Sequence, residues 1–278
     1  MLNKVDVITA QGDVLELPLD DDSEGYTVRD IDGTDPVKAV IVSSSFANVD
    51  GEQFHSTRRE ARDLIFKLVL EPGGNNGTGR QLRNNLYKYL MPEMTVTLRF
   101  YDDEMDVEFV DIQGVVESFD CPLYVPEIEA TIGIRCLLSD FYEIDSRVVE
   151  GFTTNDVIET VIDYSGTVET GILFNITMDR AVPEFMIYHR SANNTLSALE
   201  FEQALSAGDT LDISTVSGAK SLTLTNDVDG SKSILYGMNP TSNWIQLFPG
   251  RNYIRVFIDD LGAPIPYTIE YTTKYGGL

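Results

Sequence analysis

With 278 residues, 42% of them hydrophobic, the chain is long enough to fill two cores, and two domains are the natural expectation. Its 20 basic residues against 45 acidic ones leave a net charge of −25, which argues against nucleic acid as a direct ligand and against an anionic membrane surface as partner. Two cysteines, Cys121 and Cys136, do not make a disulfide scaffold, and the two histidines, His55 and His189, lie too far apart in sequence to suggest a zinc site.

The acid is uneven. Residues 1–150 hold 13 basic and 30 acidic side chains, a net of −17, and the rest of the chain carries −8. The first forty-odd residues are acidic and turn-rich, with Asp20-Asp21-Asp22 and Asp30-Ile31-Asp32-Gly33 between short apolar pieces such as Val14–Leu17. Val37–Val42 reads as a strand. Asn48–Gly51 is a turn signal, and His55 falls in what reads as a polar loop. From Ala61 to Leu70 the pattern has period two: Leu64, Phe66, Leu68 and Leu70 share one face, which predicts a half-buried strand. A flexible Gly-Asn loop follows. Then Leu82, Leu86 and Leu90 recur four apart, which predicts a helix over Gly79–Met91, capped by Thr78 and stopped by Pro92. Strands are predicted at Thr95–Tyr101, Asp106–Ser118 and Ile128–Leu138. Cys121 and Cys136 belong to apolar patterns and read as free buried thiols.

From about residue 152 only strands are predicted: 157–164, 172–178, 184–190, 196–202, 210–214, 221–225, 233–236, 244–248, 253–259 and 267–273. Turn signals such as Asp229-Gly230 and Asn239-Pro240 fall between them at close spacing, the rhythm of a jelly-roll-type β-sandwich. The fold class is mainly β with one helix.

No reactive constellation stands out. Asp102-Asp103-Glu104 and Asp259-Asp260 read as strand-end acids without the donor spacing of a calcium loop. There is no nucleophile elbow, and the Gly73–Gly79 loop lacks the Lys-Ser/Thr ending of a phosphate cradle. No catalytic residue, metal or cofactor is expected. Arg58, Arg59 and Arg62 form one basic island in an acidic chain. They read either as one half of a contact with an acidic neighbour, such as another copy of the chain, or as a solvated strand end paired with Glu60 and Asp63. Trp244, the single tryptophan, is either a sugar-stacking platform or an anchor for its sheet; Ile245, Leu247 and Phe248 beside it favour the anchor. No apolar run reaches the length of a membrane span and no secretory leader is seen, so the protein is expected in a cytoplasm until assembled or released.

Three stretches carry a family resemblance: Gly208–Ile213, Gly218–Leu224 with Lys220 and Ser221, and Trp244–Ile254 with Leu247, Pro249, Gly250 and Asn252 in place. They resemble the distal tail protein (Dit-like) family of siphophages. The N-terminal half is similar too, with Asp50-Gly51, the arginine-rich lead into Leu64–Leu70, the helix, and Leu90-Met91-Pro92. The hinge at Leu138–Tyr142 resembles that family's Asp-Pro-Tyr-Phe boundary but lacks its proline. The resemblance implies two domains: residues 1–147, a tail-tube-like β-sandwich with one helix that forms a ring, and residues 148–278, a galectin-like sandwich. It implies a non-enzymatic virion protein at the tail tip, assembled in the host cytoplasm as a hexamer around a DNA channel. Its partners would be further copies of itself, the tail tube protein, the tail-tip or baseplate hub, the tape-measure protein and a receptor-binding protein. On that reading Arg58, Arg59 and Arg62 are candidate subunit-interface residues, and Asp106 and Glu108 candidate channel-lining acids that repel phosphate. Trp244, Leu247, Pro249, Gly250 and Asn252 are structural residues of the sandwich. The alternative is a carbohydrate-binding module contacting host surface glycans.

Overall fold

The computed structural model describes residues 2–19, 25–48, 50–102, 109–259 and 262–278. The chain forms two compact units, Met1–Ile144 with Tyr275–Leu278, and Asp145–Lys274. This differs from the expected border at 147/148, most of all in the tail, which rejoins the first unit. Tyr275 is buried in that unit's core and donates its hydroxyl to Glu143 Oε1 at 2.8 Å, while Leu278 N donates to the Thr34 carbonyl at 3.1 Å.

In the first unit the elements run β1 (Leu2–Thr9), β2 (Val14–Pro18), β3 (Tyr26–Asp32), β4 (Ala39–Ser44), β5 (Gln53–Arg59), β6 (Arg62–Leu70), α1 (Gly79–Leu90), β7 (Thr95–Asp102), β8 (Phe109–Asp120), β9 (Ile128–Cys136) and β10 (Phe141–Glu143). The main sheet has the order β2-β1-β7-β8-β9-β6-β3, with β10 added beside β8. It curls so far that its edge strands β2 and β3 touch. The alternation in β6 buries Leu64, Phe66, Leu68 and Leu70 inside the curl, as the period of two requires. Helix α1 fills the interior with Leu82, Leu86 and Leu90. Its start is a capping box: Thr78 Oγ1 accepts from Gln81 N, and the Gln81 side chain accepts from Thr78 N at 2.8 Å, so two orphan donors are satisfied.

β1, β3 and β5 escaped the sequence reading because charge interrupts them. In β1 the polar Asp6 is buried, accepting from the Tyr101 hydroxyl at 2.7 Å with Lys4 Nζ 3.2 Å away. In β3, Asp30 and Asp32 both face Lys67 of β6, each 2.8 Å from its Nζ, so the acidic strand is matched across the ladder. His55 lies on β5, not in a loop, with Nε2 2.7 Å from Ser44 Oγ on β4.

In the second unit the strands are β11 (Arg147–Phe152), β12 (Thr160–Tyr164), β13 (Thr170–Gly171), β14 (Leu173–Thr177), β15 (Phe185–Ser191), β16 (Leu196–Phe201), β17 (Thr210–Ser214), β18 (Ser221–Asn226), β19 (Gly230–Ser233), β20 (Gln246–Leu247), β21 (Gly250–Ile258) and β22 (Pro266–Tyr271). A short β23 (Lys274–Tyr275) follows at the border. One sheet is ordered β11-β22-β14-β17-β18-β19, the other β12-β21-β15-β16, and β13 pairs with β20. Phe174, Ile213, Leu222 and Ile269 from the first sheet share a core with Phe185, Leu199, Ile254 and Val256 from the second, which makes the unit a β-sandwich. Each such fully buried side chain contributes about 1.5–3 kcal/mol relative to exposure.

Residues 233–236 are not the predicted strand. Gly230, at φ +70°, lets the Asp229-Gly230 turn close early, so β19 ends at Ser233 and Leu235–Gly237 forms a 3-10 turn. The Asn226 side chain supports that turn, accepting from Asp229 N at 2.7 Å.

Candidate functional site

The arginine island separates into three roles. Arg62 starts β6 and is 1% exposed, so it is not an interface residue. Its Nε donates to the Ser139 carbonyl at 3.0 Å, Nη1 to the carbonyls of Gly33 and of Asp35 (2.7 Å), and Nη2 to the Gly276 carbonyl at 2.6 Å. The guanidinium also lies 4.3 Å from the centre of the Phe141 ring. One buried cation thereby ties together the loop after β3, the segment before β10 and the returning tail. Gly33 sits at φ +95°, and an added Cβ there would run into the Asp63 carbonyl, so the loop carrying two of these carbonyls needs glycine. Cys136, paired with Arg62 across the ladder, is a free thiol pushed up to about 11 by burial, against the pull of that cation. Arg59 is half-buried and pairs with Asp140 at 2.6 Å. Arg58 alone of the three is exposed.

Arg58 sits on a separate feature. Among the described residues β4 and β5 pair only with each other, in register Val40↔Arg58 and Ile41↔Thr57, with an irregularity after Val42. A two-stranded ribbon alone is marginal in water. This one also exposes Ile41 (65%), Val42 (47%) and Phe54 (61%), with Phe46 exposed in its connection. An apolar ribbon outside the main sheet is the kind of surface that a partner covers. Asp106 and Glu108, the expected channel-lining acids, lie outside the described residues, as do Asp103, Glu104 and Asp260. Among the described residues no group of three His, Cys, Asp or Glu side chains could hold a metal.

In the second unit the Trp244–Ile254 stretch is a structural knot. Asn252 is fully buried. Its Oδ1 accepts from Phe248 N at 3.0 Å, and its Nδ2 donates to the carbonyls of Phe248 (2.8 Å) and Gly250 (2.9 Å). Gly250 holds φ +91°, so the Pro249-Gly250 turn closes around the asparagine side chain. Leu247 is buried in the core, and half-buried Trp244 packs against it with Lys220 Nζ 5.5 Å from the centre of its ring.

His189 reaches the same asparagine, with Nε2 2.9 Å from Asn252 Oδ1. Because Oδ1 only accepts, the proton belongs on Nε2, and the buried Nδ1 has no partner among the described residues. Burial pushes His189 below its ordinary value, opposed by the Asn252 bond, so the fold favours the neutral ring. The contribution to stability is complete above the unfolded value of about 6.5 and is lost as pH falls from there to the lower folded value. Thermal unfolding of the second unit should therefore drop between about pH 7.5 and 5 more steeply in the wild type than in His189→Gln; parallel pH profiles for the two would refute this role.

Residues 165–275, which contain the Trp244–Ile254 knot and His189, match the family model for the siphovirus-type tail component, C-terminal domain. Over that segment the chain is similar to the siphovirus-type tail component. The tail-component match bears out the resemblance carried by residues 208–254. Over the full length, the crystal structure of SPP1 Dit, described as a paradigm of the hub adsorption apparatus in phages infecting Gram-positive bacteria, has the same fold. It aligns with a TM-score of 0.62 at 17% identity, covering 97% of this chain and 98% of that one. A chain of the phage p2 baseplate in its activated conformation with Sr gives a TM-score of 0.46 at 7% identity, and with Ca 0.47 at 7%, with 100% of both chains covered in each case. No curated protein sequence matches.

Sequence reasoning singled out Trp244–Ile254 through its family resemblance; that Asn252 is buried and closes the Pro249-Gly250 turn is seen only in the fold. It missed the β4–β5 ribbon, because Gln53–Arg59 is polar on paper and only its isolation from the main sheet makes Phe54 conspicuous.

Proposed function

We propose that the protein is a non-enzymatic structural component of a siphophage tail tip, and that copies close through the first unit into a hexameric ring joining the tail tube to the tail-tip or baseplate hub. The tail-component match over residues 165–275 carries this reading, and the full-length fold likeness to SPP1 Dit supports it. On this reading the tape-measure protein ends at the ring, DNA passes through it, and a receptor-binding protein is held nearby in the virion. The ribbon β4–β5 offers apolar surface for a neighbouring copy, and exposed Arg58 adds a cation beside it. The excess acid of residues 1–150 keeps phosphate from sticking in the lumen. The glycan-binding alternative loses ground at Trp244, which is half-buried with Lys220 by its ring and presents no open stacking platform.

Native mass spectrometry and negative-stain imaging of the purified chain test the ring. A six-fold annulus is expected, favoured at roughly 0.5 M salt over 0.05 M because like-charged copies repel less when screened. A strict monomer at high concentration in both conditions refutes the proposal.

A further inference from the structure

On the outer face of the sheet β12-β21-β15-β16 lies a groove of about 530 Å³, lined by Val157, Glu159, Tyr188, Arg190, Leu196 and Arg255 among others. Each of its two arginines lies over a tyrosine ring. The Arg190 guanidinium is 3.9 Å from the centre of the Tyr253 ring, and that of Arg255 is 4.5 Å from the centre of the Tyr188 ring. A guanidinium held over an aromatic face by a cation–π contact still has N–H donors for a planar acceptor. Arg190 uses that edge on Glu159 at 2.8 Å. The Arg255 side chain makes no hydrogen bond or ion pair among the described residues; besides Tyr188 the ring beside it there is Phe257, at 6.0 Å. A half-buried, acid-free guanidinium is notable in a chain with more than two acids per base. The groove's rim is aliphatic: Val157 is 75% exposed and Leu196 72%.

From this geometry we infer that the groove docks an acidic polypeptide segment of a partner protein, which on the tail-tip reading above would be another tail protein, one carboxylate taking the edge of Arg255 and flanking apolar side chains covering Val157 and Leu196. Charge complementarity selects an anion, because the guanidinium fork matches a carboxylate with two parallel hydrogen bonds. The aliphatic rim selects a peptide over a saccharide, since the tyrosine faces that a sugar ring would use are already occupied by guanidinium. The site lies within the second unit and does not depend on ring closure.

The test is calorimetric titration of the full chain with the blocked pentapeptide Ac-Leu-Asp-Leu-Glu-Leu-amide, its Asn/Gln counterpart, and tetragalacturonate. The acidic peptide should bind about tenfold or more tightly than its neutral counterpart. Arg255→Gln should remove that preference without changing the melting temperature, and Arg255→Lys, which keeps the charge but loses the fork, should keep part of it. Equal binding of both peptides, no binding of either, unchanged preference in Arg255→Gln, or binding of tetragalacturonate alone each overturns the proposal, the last in favour of an acidic glycan.

Discussion

Replacing Arg62 by leucine is expected to destabilise the first unit by about 3–5 kcal/mol, the range found when one partner of a buried charged network is removed. The leucine fills part of the volume but donates nothing. The carbonyls of Gly33, Asp35, Ser139 and Gly276 would then be left without the donor they share, each unsatisfied buried acceptor costing about 1–3 kcal/mol before relaxation. Relaxation is restricted, because Gly33 is held at positive φ and the tail is pinned by Tyr275 and Leu278. Arg62→Lys keeps the charge but not the fork that reaches several carbonyls at once, so it should recover only a fraction of the loss. In scanning calorimetry the transition of the first unit should fall by roughly 10 °C while that of the second stays in place. A loss below about 1 kcal/mol would show that the carbonyls find other donors. The result also bears on the island as a whole: a triple substitution of Arg58, Arg59 and Arg62 would lose assembly through unfolding, so only Arg58 reports on an interface.

Much of this architecture was legible because local chemistry and tertiary burial agree. Leu64, Phe66, Leu68 and Leu70 alternate and are all buried; Leu82, Leu86 and Leu90 form a stripe and all enter the core. Thr78 marks the helix start, where the capping box forms. What escaped notice depends on residues distant in sequence. Arg62 looks like surface charge until Ser139 and Gly276, 77 and 214 residues away, bring their carbonyls to it. Asp6 looks like a strand breaker until Tyr101 supplies a donor from β7. The return of Tyr275 to the first core has no local signal at all, since a lone tyrosine after a strand is compatible with either unit. The second unit was the more legible because its knot is local: the residues that close the Pro249-Gly250 turn lie within four positions of Asn252.

Ile41→Asp combined with Phe54→Asp should abolish the proposed ring while leaving the fold of the protomer intact. Both side chains are more than half exposed, and neither belongs to the core of the first unit, so each change should alter protomer stability by no more than about 0.5 kcal/mol. Their effect appears only where a second copy covers the ribbon. There, two carboxylates would enter an apolar contact without cationic partners, at a desolvation cost of several kcal/mol per buried ion. In a closed ring every protomer takes part in two contacts, so the penalty recurs at each junction. Native mass spectrometry should then show monomers for the double variant under conditions where the wild type assembles, with unchanged calorimetric transitions. Arg58→Gln, on the same ribbon, should weaken assembly far less, because a rim charge mainly affects association rate and salt dependence. If the double variant assembles like the wild type, the ribbon is not the contact and the apolar exposure of Ile41 and Phe54 serves another partner. If it is monomeric but has also lost its first calorimetric transition, the ribbon is part of the folding unit after all, and its isolation from the main sheet is not independence.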